Sequence, residues 1–182
     1  MQSWIPASSI QSGELHRFPA GTVVIQSPLE RQGAVALAIR VDVPGPALYQ
    51  LSPTNDWAIG HVTGLDLHLV ETGFGIRVAG AAIQIELDLA GSTIEPAPST
   101  QPVGCLALGA GGVRLVGVAS GRHSALYIDP VDWRMRHFGD GNDASIMALG
   151  WRVVLPLGPE RRVVLFDAPR RPRPDHSKGL AI

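Results

Sequence analysis

Apolar and polar residues alternate along most of the chain with the period of two that is typical of β-strands. The alternating runs are short, and turn-forming glycine, proline, aspartate or asparagine residues separate most of them. The runs cover residues 22–26, 35–43, 47–51, 65–70, 74–79, 82–89, 113–119, 125–128, 131–138, 146–155 and 162–167. No segment keeps the i, i+3, i+4, i+7 spacing of an amphipathic helix over three turns. The pattern therefore predicts an all-β fold, an antiparallel β-sandwich of which the jelly roll is one form.

The segment 65–89 permits a more detailed prediction of strand pairing. If Thr72-Gly73 and Gly80-Ala81 are two successive two-residue hairpin loops, the two registers agree with each other. One face then carries only apolar side chains, namely Leu67, Leu69, Phe74, Ile76, Val78, Ile83, Ile85 and Leu87. The other face carries Asp66, His68, Arg77, Gln84 and Glu86. Because a slip of one residue would exchange the faces, this agreement predicts a three-stranded meander with its apolar face in the core.

The length of 182 residues fits one domain. We expect residues 1–168 to form a single β-sandwich domain, with a loop or linker at about 91–102, where proline, serine and threonine are concentrated. Residues 169–182 are basic and rich in proline, which predicts an extended tail. Arg170, Arg171 and Arg173 in this tail are candidate residues for binding a partner, and a solvated terminus is the alternative interpretation.

Charge is sparse. Charged residues make up 17% of the chain, apolar residues 45%, and the formal net charge is −1. No overall field would therefore draw the chain to nucleic acid. A surface poor in charge favours contacts with other subunits, so we predict a homo-oligomer or binding to other protein subunits.

The N-terminus has no basic region followed by an apolar stretch, so we expect no secretory signal. No run of about 20 apolar residues exists that would predict a helix across a membrane. These features predict synthesis in the cytoplasm, with incorporation into a larger assembly as one destination. Cys105 is the single cysteine and lies in an apolar run, which predicts a buried, unreactive thiol.

Asp66 and His68 are two residues apart on a predicted strand, so their side chains would project together. Such a pair can supply two metal ligands or an acid–base couple. With Gly60, Glu71 and Gly80, the spacing resembles the first motif of the cupin family, although it departs at the first histidine and at the glutamate and glycine spacings. The resemblance implies a divalent metal held by Asp66, His68 and Glu71. The alternative, which needs no cofactor, is simple cross-strand pairing on a solvated face.

Tryptophans suggest a second kind of site. Trp57 follows Asn55 and Asp56, and an exposed tryptophan beside such side chains can stack on a sugar while they donate and accept hydrogen bonds. A buried corner tryptophan is the alternative. Trp151 shares a strand face with Val153 and Leu155, and both Trp151 and Trp133 are expected to pack in the core.

The sequence contains no Gly-x-Ser-x-Gly elbow, P-loop or Cys-x-x-Cys motif. Many strands, little charge and a proline-rich tail favour a non-enzymatic binding or assembly module over an enzyme. Structural components of virus-like particles, phage appendages and surface-attachment complexes are built from such modules. Two alternatives stay open: a cupin-like metal-dependent enzyme or small-molecule binder, and a carbohydrate-binding module.

Overall fold

Short β-strands make up the protein. The computed structural model describes residues 4–26, 36–52, 58–87, 94–97, 102–119, 124–136 and 144–168. The strands are β1 (Ile10–Glu14), β2 (Val23–Gln26), β3 (Ala36–Val43), β4 (Gly45–Gln50), β5 (His61–Gly64), β6 (Thr72–Ile76), β7 (Gln84–Leu87), β8 (Ile94–Pro96), β9 (Leu106–Gly109), β10 (Gly112–Ala119), β11 (Ala125–Ile128), β12 (Met135–Arg136), β13 (Ala144–Ala148), β14 (Trp151–Pro156) and β15 (Arg162–Asp167). The helical elements in these ranges are two 3-10 turns, Ala7–Ser9 and Leu15–Arg17. The prediction of an all-β fold is therefore confirmed, and no described helix is long and apolar enough to cross a bilayer.

Most strands belong to one large sheet with the order β1-β6-β2-β3-β4-β5-β10-β9-β13-β8. β11 also pairs with β10, and β12 pairs with β11. A parallel bridge between Asp42 and Arg134 then connects the β12 region back to β3. A closed ring of paired strands results, made of β3, β4, β5, β10, β11 and β12. This places Trp133, just before β12, against Gly21.

A smaller sheet, β15-β14-β7, shares a hydrophobic core with the large one. Trp151, Val153 and Leu155 point from β14 into this core, as the alternation predicts, and each is at most 1% exposed. The indole Nε1 of Trp151 donates a hydrogen bond to the carbonyl oxygen of Gly104 at 2.9 Å. Burial of each large apolar side chain contributes about 1.5–3 kcal/mol, which holds the sheets together. The finer description of the fold as a sandwich or jelly roll stays a prediction.

The large sheet is also covered on its other face near its start. Leu15 and Phe18, from the 3-10 turn after β1 and the residue that follows it, pack there with Val24, Ala38, Leu48 and Leu65. A third cluster contains Cys105, which is 1% exposed and not in a disulfide. The prediction of a buried thiol is confirmed.

The predicted strand pairing of the meander 65–89 is wrong, although Ile76 and Ile83 of its apolar face are buried in the core as predicted. Thr72 and Gly73 lie inside β6, which pairs with β1 on one side and β2 on the other. A Cβ on Gly73 would lie 2.6 Å from Cδ2 of Leu15, so this glycine allows close packing and does not form a hairpin. The chain turns through residues 66–71, which leaves Leu67 and Leu69 61% and 58% exposed.

Other details of the strand prediction also change. β7 pairs with β14, far along the chain, and Glu86 there contacts Arg152 and Arg162, not His68. Ile94–Pro96 forms β8 within the segment predicted as a loop. In the described part of the run 131–138, which ends at residue 136, the strand is the two-residue β12, because residues 130–132 form a turn. The run 146–155 contains two strands, β13 and β14.

Candidate functional site

The three residues of the predicted metal site do not share a strand. Asp66 and His68 are exposed in a turn, where Oδ1 of Asp66 accepts a hydrogen bond from the backbone N–H of His68 at 2.8 Å. This is the local geometry of an Asx turn, which explains the Asp-x-His spacing without a ligand. Glu71 is partly buried, and its carbonyl oxygen accepts from the N–H of Leu15 at 2.8 Å. Among the described residues, no three histidine, cysteine, aspartate or glutamate side chains are grouped to hold a metal ion.

The structure does not describe the residues of two other predicted sites. Asn55, Asp56 and Trp57 of the predicted sugar platform lie outside the described residues. The same holds for Arg170, Arg171 and Arg173 of the predicted tail.

Two adjoining clefts lie where β1, β6 and the 3-10 turn Leu15–Arg17 meet. The first, here called the Trp133 cleft, has a volume of about 570 Å³. It is lined by Gln11, Pro19 to Thr22, Ile76 to Ile83, Trp133 and Leu155. The second, here called the Arg17 cleft, has a volume of about 530 Å³ and is lined by Ser12 to Glu14, Arg17 to Pro19, Val70, Thr72 and Arg77. Because Pro19 and Arg77 line both clefts, the two form one continuous surface.

Arg77 follows directly after β6 and lies between the clefts. Its backbone N–H donates to the carbonyl oxygen of Ser9 at 2.7 Å, which fixes the backbone at the end of the β1–β6 ladder. The side chain is exposed, and its guanidinium makes no ion pair or hydrogen bond with any residue in the described part of the chain. Arg17, which lines the neighbouring cleft, is instead paired with Glu14 at 2.8 Å. Within the described residues, this surface therefore carries one positive charge, that of Arg77, without an ion-pair partner.

Trp133 forms part of the wall of its cleft in an unusual conformation. It has a φ of 61°, a left-handed value that is a genuine outlier for a bulky residue. Its backbone is fixed on both sides, since its N–H donates to Asp129 and its carbonyl oxygen accepts from Asp42 at 2.9 Å. The residue is 6% exposed, and its Nε1 makes no hydrogen bond to a described residue. Strained backbone of this kind persists only where the surroundings over-determine it, and it is concentrated at binding sites.

Gly21 leaves room for this ring. A Cβ on Gly21 would lie 2.4 Å from Nε1 and 2.5 Å from Cδ1 of Trp133. Gly21 also has a φ of 84°, which a residue with a side chain rarely adopts. The position of the indole in the cleft thus depends on glycine at this position.

Ion pairs hold the turn that carries Trp133. Oδ2 of Asp129, which is buried, lies 3.3 Å from nitrogens of both Arg114 and Arg136. Arg136 also contacts Asp132 at 2.6 Å. Burial acts to raise the pKa of Asp132, but the hydrogen bonds from Arg136 and from the backbone of Arg134, with the charges of both arginines, outweigh it and hold that pKa below its ordinary value. These ion pairs connect the turn to Arg114 of β10 and Arg136 of β12, and the backbone of Asp42 connects it to β3.

The chemistry of the paired clefts is that of recognition. A guanidinium donates hydrogen bonds in a planar fork that matches a carboxylate or phosphate. Beside it, the cleft is lined by the buried side chains of Ile76, Ile83 and Leu155 and by Val78, which is half-buried. Reasoning from the sequence placed Arg77 in a cross-strand pair with His68 and did not find the clefts. The one available signal was Trp133, which directly follows a turn-forming Asp-Pro-Val-Asp segment.

Comparison with known proteins adds no relative: no protein-family model, curated protein or solved structure matches the chain.

Proposed function

We propose that the chain is a non-enzymatic binding or assembly module and that the Trp133 and Arg17 clefts form its binding surface. The observation that carries the proposal is Arg77, whose guanidinium is exposed and unpaired among the described residues at the junction of the two clefts. The wall of the Trp133 cleft adds apolar side chains beside this charge, among them Val78, Ile83 and Trp133. A partner group that combines a negative charge with apolar surface fits both features.

Magnitudes indicate what size of partner this surface needs. A hydrogen bond to a charged group contributes about 1.5–3 kcal/mol, and less where water reaches it. A six-membered ring that loses about 100 Å² of apolar surface contributes about 2.5 kcal/mol at 25 cal/mol per Å². The sum corresponds to a dissociation constant near the millimolar range. Tight binding therefore needs a larger partner, which favours assembly with a macromolecule over capture of a small anion.

The surface beside the clefts supports a macromolecular partner. The turn before β6 contains three exposed apolar side chains, Leu67, Leu69 and Val70, which are 61%, 58% and 73% exposed. Val70 also lines the Arg17 cleft, so this apolar turn is continuous with it. Grouped, exposed apolar side chains at the rim of a cleft are typical of interaction sites.

The indole signals in an NMR spectrum test the proposal directly. The chain has four tryptophans, so the indole N–H of Trp133 can be assigned with a Trp133→Phe variant. We expect benzoate to shift this signal in a saturable way, and its neutral analogue benzamide to shift it less. The Arg77→Gln variant should weaken the benzoate response. The matched variant Arg162→Gln removes the same charge from a residue that lines neither cleft, and it should leave the response unchanged.

If neither compound moves the Trp133 signal at millimolar concentration, the clefts are not the binding surface. A benzoate response that is equal in the Arg77→Gln protein would show that the guanidinium plays no part.

A further inference from the structure

β1 is the terminal strand of the large sheet, and the direction of its backbone groups follows from its pairing with β6. At one end of the ladder Ser9 accepts a hydrogen bond from Arg77, and at the other the N–H of Leu15 donates to Glu71. In an antiparallel pair, hydrogen-bonded residues alternate along each strand. Gln11 and Gly13 therefore also direct their backbone groups towards β6. The N–H and C=O groups of Ser12 and Glu14 and the C=O of Ile10 point away from β6, whereas the N–H of Ile10 donates to the carbonyl oxygen of Ala7.

This outward edge lacks three features that often protect a terminal strand, namely lysine, proline and a bulge, although the strand is short and ends in Glu14. β1 has the sequence Ile-Gln-Ser-Gly-Glu, without lysine or proline, and its register with β6 is uninterrupted over all five pairs. Native proteins commonly place lysine, proline or a bulge on such an edge to prevent another strand from adding to it. Among the described residues, β1 pairs with β6 alone.

The same strand opens onto both clefts. Gln11 lines the Trp133 cleft, and Ser12, Gly13 and Glu14 line the Arg17 cleft. A free strand edge beside side-chain pockets is the arrangement by which domains take up an extended peptide: the edge provides backbone hydrogen bonds, and the pockets select side chains. Here the unpaired Arg77 would select an acidic side chain.

We infer that β1 is the acceptor edge for an extended, acidic segment of a partner protein, which adds to the sheet as a further strand and places a carboxylate on Arg77. The inference rests on the proposed function of the clefts. The chain's own C-terminal segment, residues 169–182, is a poorer occupant for two reasons. Its four basic residues would repel Arg77, and its prolines cannot complete a ladder of hydrogen bonds.

Synthetic peptides test the inference. The probe is acetyl-Val-Thr-Val-Glu-Val-Thr-amide, and its control carries glutamine in place of glutamate. We expect the glutamate peptide to bind about tenfold more tightly, the value of one charge-assisted hydrogen bond, and the Arg77→Gln variant to remove that difference. The readout is fluorescence anisotropy of labelled peptide.

One variant separates strand addition from simple occupation of a cleft. Ser12→Pro removes an outward N–H without removing a β1–β6 hydrogen bond, whereas Ser12→Ala keeps that N–H. We expect peptide binding to be lost in the first variant and kept in the second. Hydrogen exchange provides the second readout, since the peptide should slow exchange at the amides of Ser12 and Glu14. Exchange at Ile10, whose N–H already donates to the carbonyl oxygen of Ala7, and at Gln11 and Gly13, which are bonded to β6, should stay nearly unchanged.

Each other outcome has a defined meaning. Binding of the peptide with no new protection at Ser12, or equal binding by the Ser12→Pro protein, overturns strand addition and leaves the clefts as the binding surface. If exchange at Ser12 is slow without peptide and becomes slower as the protein concentration rises, a second copy of the chain is the occupant, which overturns the inference. Failure of the peptide together with failure of benzoate to reach Trp133 overturns the proposed function as well.

Discussion

Gly21 provides the sharpest test of how the Trp133 cleft is built. Alanine at this position introduces two costs that can be separated. The first is backbone strain, because a φ of 84° is left-handed and costs a residue with a Cβ about 1–2 kcal/mol. The second is steric, because the new Cβ would lie 2.4 Å from Nε1 of Trp133, and overpacking of a core costs about 1–3 kcal/mol. Together they predict a loss of about 2–5 kcal/mol of unfolding free energy for Gly21→Ala.

Two other glycines isolate these costs. Gly80 has a φ of 73°, but a Cβ added there would meet no atom within 4 Å, so Gly80→Ala should show the backbone cost of about 1–2 kcal/mol alone. Gly64 has neither a left-handed φ nor a neighbour in that range, and Gly64→Ala should stay within about 1 kcal/mol of wild type. Urea denaturation followed by circular dichroism gives all three values on one scale.

The comparison between Gly21→Ala and Gly80→Ala isolates the contact with the indole. The contact predicts that Gly21→Ala is the more damaging change and that a second substitution, Trp133→Leu, reduces the damage by removing the clashing ring edge. Equal losses in the two alanine variants would refute the steric cost, since the indole would then be free to move aside.

Three further predictions concern other parts of the molecule. Tyr49→Phe should cost about 0.5–1.5 kcal/mol in urea denaturation, because the buried hydroxyl donates to the carbonyl oxygen of Val116 at 3.1 Å. Burial, with a smaller contribution from Cys105, raises the pKa of Tyr49 above 10.0, so this tyrosine should make stability fall as the pH rises above about 10. The stability of the phenylalanine variant should fall less over the same pH range, and an unchanged alkaline profile would contradict the burial. Leu67→Ser should change stability by no more than about 0.5 kcal/mol, whereas Leu155→Ala should cost about 2–5 kcal/mol, and similar losses would contradict the exposed turn. The lowered pKa of Asp132 adds stability that is present above its ordinary pKa of 3.8 and lost at lower pH. Asp132→Asn should therefore be less stable than wild type at pH 7 by at most about 1 kcal/mol and equal to it near pH 2. A difference that stays constant with pH would argue against the ion pair.

Strands whose pattern is set by local alternation could be predicted from the sequence. β11 and β15 have the predicted bounds, and β2, β3, β4 and β10 differ from them by one or two residues. Both faces of β3 are buried, yet its run of apolar residues still identified it. The class of fold follows from these strands alone.

Strand partners and the candidate site could not be predicted in the same way. The period of two places side chains on alternate faces but does not say which strand lies alongside, and a self-consistent local hairpin led to the wrong pairing for β6. Gly73 looked like a turn residue because its real role, close packing under Leu15, depends on a distant segment. The Trp133 cleft likewise requires the bridge between Asp42 and Arg134, a contact between residues far apart in the chain.

The central claim is that the surface around Arg77 is where this protein recognises an anionic partner group, and a paramagnetic probe tests it over the whole molecule at once. A nitroxide that carries a carboxylate should broaden the amide signals of Arg77, Ala79 and Gly21 more than any others, and a nitroxide that carries a neutral amide instead should not. Broadening spread evenly over the surface, or centred on the arginines of β14 and β15, would contradict the claim.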